Sequence, residues 1–291
     1  MAIILRNEIM SVKISRLGAE VVEIKRHDLN CSYLWSGDQN YWGGHSPVLF
    51  PIVCSAMNNQ IKVDGRRYAI KNHGFARNSE FELVDKSECY AVFQLEANEK
   101  TVTIYPFKFL LEIKYTLAGN RLQIDYLVCN KDNLEIYFQL GTHPAFNCPL
   151  EGGLAFENYY LEFEQPEDLE RRFINSSILM IPDQSELIGR GVTKLPLTRK
   201  LFDLGTLVFP QVKSNRIFLK SDNSARSIAV SYENMEQLGI WQPKDAPFIC
   251  IEPWHGLPDV QGFNGEFKDR EAVVKLETGK TFNCQLCIET Y

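Results

Sequence analysis

Residues 106–130 read PFKFLLEIKYTLAGNRLQIDYLVCN, and two adjoining alternations within them decide the fold class. Phe107, Phe109, Leu111, Ile113, Tyr115 and Leu117 alternate mainly with Lys108, Glu112, Lys114 and Thr116. That period of two belongs to a strand with one buried face. A break at Gly119–Asn120 is followed by Leu122, Ile124, Tyr126 and Val128 alternating with Gln123 and Asp125. The pair reads as a hairpin with a short turn. LEIYFQLG (134–141) carries the alternation on through Leu134, Ile136, Phe138 and Leu140. Consecutive strands at this spacing predict antiparallel sheet.

Outward from the hairpin, further short strands are predicted at Ser11–Ile14, Glu20–Lys25, Tyr90–Leu95, Arg216–Leu219, Ser227–Tyr232, Pro247–Trp254 and Thr281–Ile288, with Gly, Asn, Asp and Pro between them. Helical spacing is weak. One short helix is expected around Pro166–Phe173, where a proline and two acids precede Leu169 and Phe173. There is no fixed-period repeat, low-complexity tract or Pro/Gly/Ser linker, so residues 1–291 read as a single all-β domain, a large β-sandwich with few short helices.

With 45% hydrophobic residues and a mean hydropathy of −0.21, the chain can bury a large core. Its net charge of −6 is spread without a block of like charges, which argues against a nucleic-acid partner. No run approaches the roughly 20 apolar residues of a membrane span, and the opening MAIILRNEIM places an arginine and a glutamate early. A soluble cytoplasmic protein is expected, monomer or homodimer. The eight cysteines are too sparse for a disulfide scaffold and read as reduced thiols. The pair Cys284 and Cys287 lies in a strand-like run without a second pair, so core packing is expected rather than a metal.

Two histidines occupy loop-like contexts, His73 in KNHGFAR and His143 in LGTHPAF. Pro144 restricts the backbone of His143 to extended conformations and so defines its ring's position. An isolated histidine is more often a satisfied buried hydrogen-bonding group than a catalyst. Glu252 is more informative. In Pro247–Trp254 the two-residue period puts it on one face with Phe248, Cys250 and Trp254, while Ile249 and Ile251 take the other. A carboxylate in a strand covered on both sides is costly unless hydrogen-bonded or poised for function, and desolvation raises its basicity. The bland alternative is a structural glutamate paired with an arginine. Aromatic residues gather near these segments: Tyr33, Trp35, Tyr41, Trp42, Phe75, Phe146 and Trp254. Aromatic walls with a few placed polar groups suit a sugar ring, although aromatics are more often core.

Taken in order, YLWSGDQNYWGGHSPVLFPIV, NHGFARNSEF, YPFKFLLEIKYTL, LGTHPAFNCPL, GIWQ and ICIEPW resemble the aldose 1-epimerase (galactose mutarotase-like) superfamily across residues 5 to 290. They are most similar to its divergent bacterial branch linked to lactose and galactose operons. The resemblance implies a large antiparallel β-supersandwich, a cleft on one sheet face and interconversion of aldose anomers without metal or other cofactor. By the same resemblance His73 contacts the sugar near the reacting centre, His143 is the general acid at the ring oxygen, and Glu252 is the general base at the C1 hydroxyl. From the aromatic cluster, Trp35 and Trp254 are the candidates for contact with the sugar. Many relatives carry an arginine after the LFP segment, where this chain has Ile52-Val53-Cys54-Ser55-Ala56-Met57; Arg77 is the candidate substitute. Asp203 in LFDLG is the candidate acidic ligand to sugar hydroxyls, by approximate position only.

Three alternatives stay open. A hexose-6-phosphate mutarotase should gather several basic groups, for which Arg66, Arg67, Lys71 and Arg77 are near in sequence. A non-catalytic carbohydrate-binding sandwich would use the aromatics alone, though such a binder gains little from a desolvated acid. A metal-dependent isomerase needs convergent donors, and no two histidines stand closer than His27 and His45.

Overall fold

A computed structural model describes residues 2–291. Among them the helices are 3-10 turns of three or four residues, and the remaining regular structure is strand. The hairpin forms as its alternation predicts. Phe109–Ala118 pairs with Arg121–Asn130, and the Ala118↔Arg121 register leaves Gly119 and Asn120 as the loop. Gly119 adopts φ +57°, the left-handed backbone that a two-residue turn demands and that glycine takes without a Cβ clash.

This hairpin is part of a 15-stranded antiparallel sheet whose path runs from Glu82–Lys86 at one end to Val48–Leu49 at the other. A four-stranded antiparallel sheet, Ala2–Arg6 to Cys31–Ser32, is tied to it at several points. The Tyr115 hydroxyl donates to Ala19 O, the Tyr33 hydroxyl to Tyr291 O, and the Arg26 guanidinium to Thr290 O. The predicted strands at Ser11, Glu20, Tyr90, Arg216, Ser227, Pro247 and Thr281 are all present within one or two residues of their expected limits.

Two expectations are corrected. Residues 166–173 are not helical but lie within the strand Tyr159–Ile174, hydrogen-bonded to Met180–Pro196 with several register shifts. The buried positions there are Glu167, Leu169 and Arg171, a period of two written partly in polar residues. Glu167 accepts from the Lys213 and Ser214 N–H groups and the Ser214 hydroxyl; Arg171 pairs with Glu186. Counting apolar residues alone leaves Leu169 and Phe173, whose four-residue spacing imitates a helix face. The run 134–141 is likewise not one strand: Ile136–Phe138 pairs with Val274–Leu276, whereas Leu140–Thr142 joins the large sheet. Gln139 marks the switch. Fully buried, it donates its backbone N–H to Pro51 O, accepts the Val53 N–H on its side chain and donates to Leu257 O and Glu271 O.

Candidate active site

The strand Phe248–His255 lies inside the large sheet, with Gln237–Trp241 on one side and Leu140–Thr142 followed by Ala145–Asn147 on the other. Ile249 and Ile251 enter the main core, while Phe248, Cys250 and Trp254 pack in separate clusters on the opposite face. Glu252 shares that second face by the alternation of side chains. The partners Gly141↔Trp254 and Ala145↔Cys250 continue one register, so His143, midway between them, stands across from Glu252. Cross-strand neighbours on one face touch, and His143 Nε2 is 3.2 Å from Glu252 Oε2.

Both groups are buried, and burial dominates their protonation. It pushes the Glu252 carboxyl well above the usual carboxylate range against the pull of Arg77, and it pushes His143 well below the usual imidazole range, aided by His73 and Arg77. Burial therefore favours the uncharged form of each. His143 Nδ1 and Glu252 Oε1 have no protein partner.

His73 is positioned by a turn in which both His73 (φ +61°) and Gly74 (φ +72°) are left-handed. A Cβ at Gly74 would stand 2.1 Å from Phe50 O, so only glycine permits the approach. The His73 N–H donates to Cys54 O and the Cys54 N–H donates to His73 Nδ1, a reciprocal clamp. With Nδ1 accepting, the ring proton is on Nε2. Burial lowers the His73 pKa to about 3, so the ring is a neutral donor. Beneath the clamp, Asp259 accepts the Met57 N–H and pairs with buried Arg270, which donates to Ser55 O.

His73, His143 and Glu252 open into a cavity of about 530 Å³ walled by Trp42, Trp241 and Trp254, with Arg77, Asn175, Ser176 and Leu204–Thr206 around it. Trp42 stacks on the His143 ring at 4.9 Å between centroids, and Trp241 meets it edge-on at 5.5 Å. Trp254 lies against two glycines of the flanking strands: a Cβ at Gly239 would be 2.4 Å, and at Gly141 2.7 Å, from its indole. Arg77 also lines the cavity, and the nearby acids Glu20 and Glu252 pair with His45 and His143 instead.

Of the residues singled out from the sequence, the cavity brings together His73, Arg77, His143, Glu252 and Trp254. Trp35 is buried behind the wall, its ring 4.6 Å from Phe248 and its Nε1–H on Trp42 O, and it does not line the cavity. Asp203 is exposed beside Leu204 and does not line it either. Trp42, Trp241 and Asn72 do; the first two were visible as the last aromatic of YLWSGDQNYW and the tryptophan of GIWQ. Although histidine spacing argued against clustered metal donors, the fold gathers three: His143, Cys250 and Glu252 offer donor atoms within 4.8 Å of one another. Cys284 packs in the main core, and Cys287, three residues along the same strand, faces the other way.

The chain belongs to the aldose 1-epimerase family, whose model matches residues 1–275. Among individual relatives it is similar to the chromosomal protein LacX of Lactococcus lactis subsp. lactis, 32% identical over 294 residues covering 96% of this chain and 97% of LacX. Among solved structures it is similar to a galactose mutarotase-like protein from Lactobacillus casei, with TM-score 0.94, 30% identity and full coverage of both chains. A galactose mutarotase related enzyme from Lactobacillus acidophilus gives TM-score 0.93 and 28% identity, with 100% of this chain and 97% of that one covered. Among the described residues no helix is long and apolar enough to cross a membrane.

Proposed function

We propose that this chain interconverts the α and β anomers of a free aldose by general acid–base ring opening, with His143 and Glu252 as the proton-transferring pair. The observation that carries the reading is their 3.2 Å contact at the base of an aromatic-walled cavity of about 530 Å³. Ring opening removes a proton from O1 and delivers one to O5, and both oxygens are bonded to C1. An acid and a base that nearly touch suit two reacting oxygens on one carbon. Glu252 as carboxylate takes the O1 proton, and His143 as imidazolium protonates O5. Burial favours the neutral pair, which contains the same number of protons as this charge-separated one. A single proton shift along the contact converts one into the other without solvent. After rotation about C1–C2, reclosure exchanges the roles and restores the starting state.

His73, with Nε2–H as donor, supplies a hydrogen bond to a sugar oxygen near the reacting centre, and Trp254 and Trp42 offer apolar surfaces for the ring faces. Each positioned proton transfer contributes about 10²–10⁴-fold. Arg77 is the one cation among the residues lining the cavity, while Arg66 and Arg67 belong to an exposed hairpin, Gln60–Val63 with Arg66–Ala69. That favours an uncharged aldose over a sugar phosphate, which needs several convergent cations.

NMR exchange or polarimetry with glucose, galactose and glucose 6-phosphate tests the reading. Glu252→Gln and His143→Asn should each lower kcat by at least ~10²-fold. Wild-type rates in both variants, or no acceleration of any aldose by the wild type, would refute it.

A further inference from the structure

We propose that His143, Cys250 and Glu252 form a binding site for a thiophilic divalent metal ion such as Zn²⁺, and that the metal competes with the sugar. Metal binding stands apart from the proposed activity; the competition rests on it.

The three residues lie on one face of two adjacent strands. His143 is across from Glu252, and Cys250 is two residues along the same strand as Glu252. Their donor atoms are mutually within 4.8 Å. Bonds of about 2.0–2.3 Å around a tetrahedral ion bring ligand atoms to about 3.5 Å from one another, so side-chain rotations of roughly 1 Å close the set. Imidazole, thiolate and carboxylate together select Zn²⁺, Co²⁺ or Cd²⁺ over Mg²⁺ or Ca²⁺.

Two further observations point to a ligand here. Glu252 Oε1 is buried without a hydrogen-bond partner, so the carboxylate keeps a lone pair unused. The acid–base reading has no use for Cys250, which is fully buried in a cluster with Trp35, Ala145, Ala246 and Phe248. Metal binding would displace the protons of the Cys250 thiol and the Glu252 carboxyl to solvent, and the resulting thiolate and carboxylate would neutralise the dication. The cavity is lined by His143 and Glu252 and not by Cys250, so an ion would enter from the side of the first two. An ion held by His143 Nε2 and Glu252 removes from the sugar the two groups that exchange protons with it.

The test is Co²⁺ titration of chelator-treated protein, followed by displacement with Zn²⁺. The wild type should bind one equivalent with a thiolate-to-cobalt charge-transfer absorption and the strong visible bands of four-coordinate cobalt. Cys250→Ser, checked for a wild-type far-UV spectrum, should lose the charge-transfer absorption. Both Cys250→Ser and Glu252→Gln should weaken Co²⁺ at least ~10-fold. Charge-transfer absorption that persists in Cys250→Ser would assign the metal to other thiols and overturn the site, as would failure of the wild type to bind at millimolar Co²⁺. Zn²⁺ should slow wild-type anomerisation competitively with sugar, and the ratio of rates with and without Zn²⁺ should return towards one in Cys250→Ser. Zn²⁺ binding without inhibition would overturn the competition. A cobalt spectrum in a protein that anomerises no aldose would sink the proposed activity and leave the metal site standing.

Discussion

Burial favours the uncharged forms of both Glu252 and His143, and the effects on stability run in opposite directions with pH. Glu252 keeps its proton in the folded chain where the unfolded chain has lost it, so folding stability falls as pH rises above about 4.3 towards the raised pKa. His143 stays neutral in the folded chain where the unfolded chain gains a proton, so stability also falls as pH drops below about 6.5. Glu252→Gln removes the first dependence. Thermal midpoints of wild type and variant, measured from pH 5 to pH 8, should diverge in favour of the variant at the alkaline end; parallel curves would mean that Glu252 is ionised in the fold. Sequence alone singled out both residues, Glu252 as an acid inside an apolar strand and His143 as a histidine ahead of a proline, while their roles were implied only by the family resemblance. Their direct contact was not legible, since it depends on a pairing register between distant segments.

At the level of strands and turns, the buried carboxylate of Glu167 accounts for the misread segment. It fastens the Tyr159–Ile174 strand to the Lys213–Ser214 loop through backbone and hydroxyl donors. Glu167→Ala leaves the buried Ser214 N–H without its acceptor and should cost about 1–3 kcal/mol, read as a lower urea midpoint at unchanged slope. The alternation of the 106–130 hairpin was transparent because its buried positions before Asn130 are apolar; that of 166–173 was hidden because Glu and Arg occupy buried positions. The glycines flanking Trp254 mark a second limit. Nothing in GTHP or LGIW states that Gly141 and Gly239 lie against one indole, a fact of three-strand adjacency. Gly239→Ala should push the indole into the cavity and raise KM for the sugar several-fold with the fold intact, measurable by initial-rate kinetics beside near-UV circular dichroism.

Across the whole molecule, the N-terminal sheet is tied to the last strand, Thr281–Thr290, and its end by Arg26 on Thr290 O and Tyr33 on Tyr291 O. These contacts are remote in the sequence from the cleft residues 143 and 252. Deleting residues 290 and 291 removes both acceptors, each worth about 0.5–1.5 kcal/mol, and more where a charged donor is stranded. A domain of this size loses about 2–4 °C per kcal/mol. Calorimetry should therefore show a drop of several degrees, with kcat at 25 °C unchanged.

Gln139 belongs to this largest scale as well. Its single amide holds the segment after Phe50, the Leu257 turn and the Glu271 loop. Three excursions of the chain are thereby tied to one buried point. The lining segments Asn175–Ser176 and Leu204–Thr206 make no hydrogen bond to that amide. Substitutions there would change the cavity's lining without disturbing the three ties of Gln139.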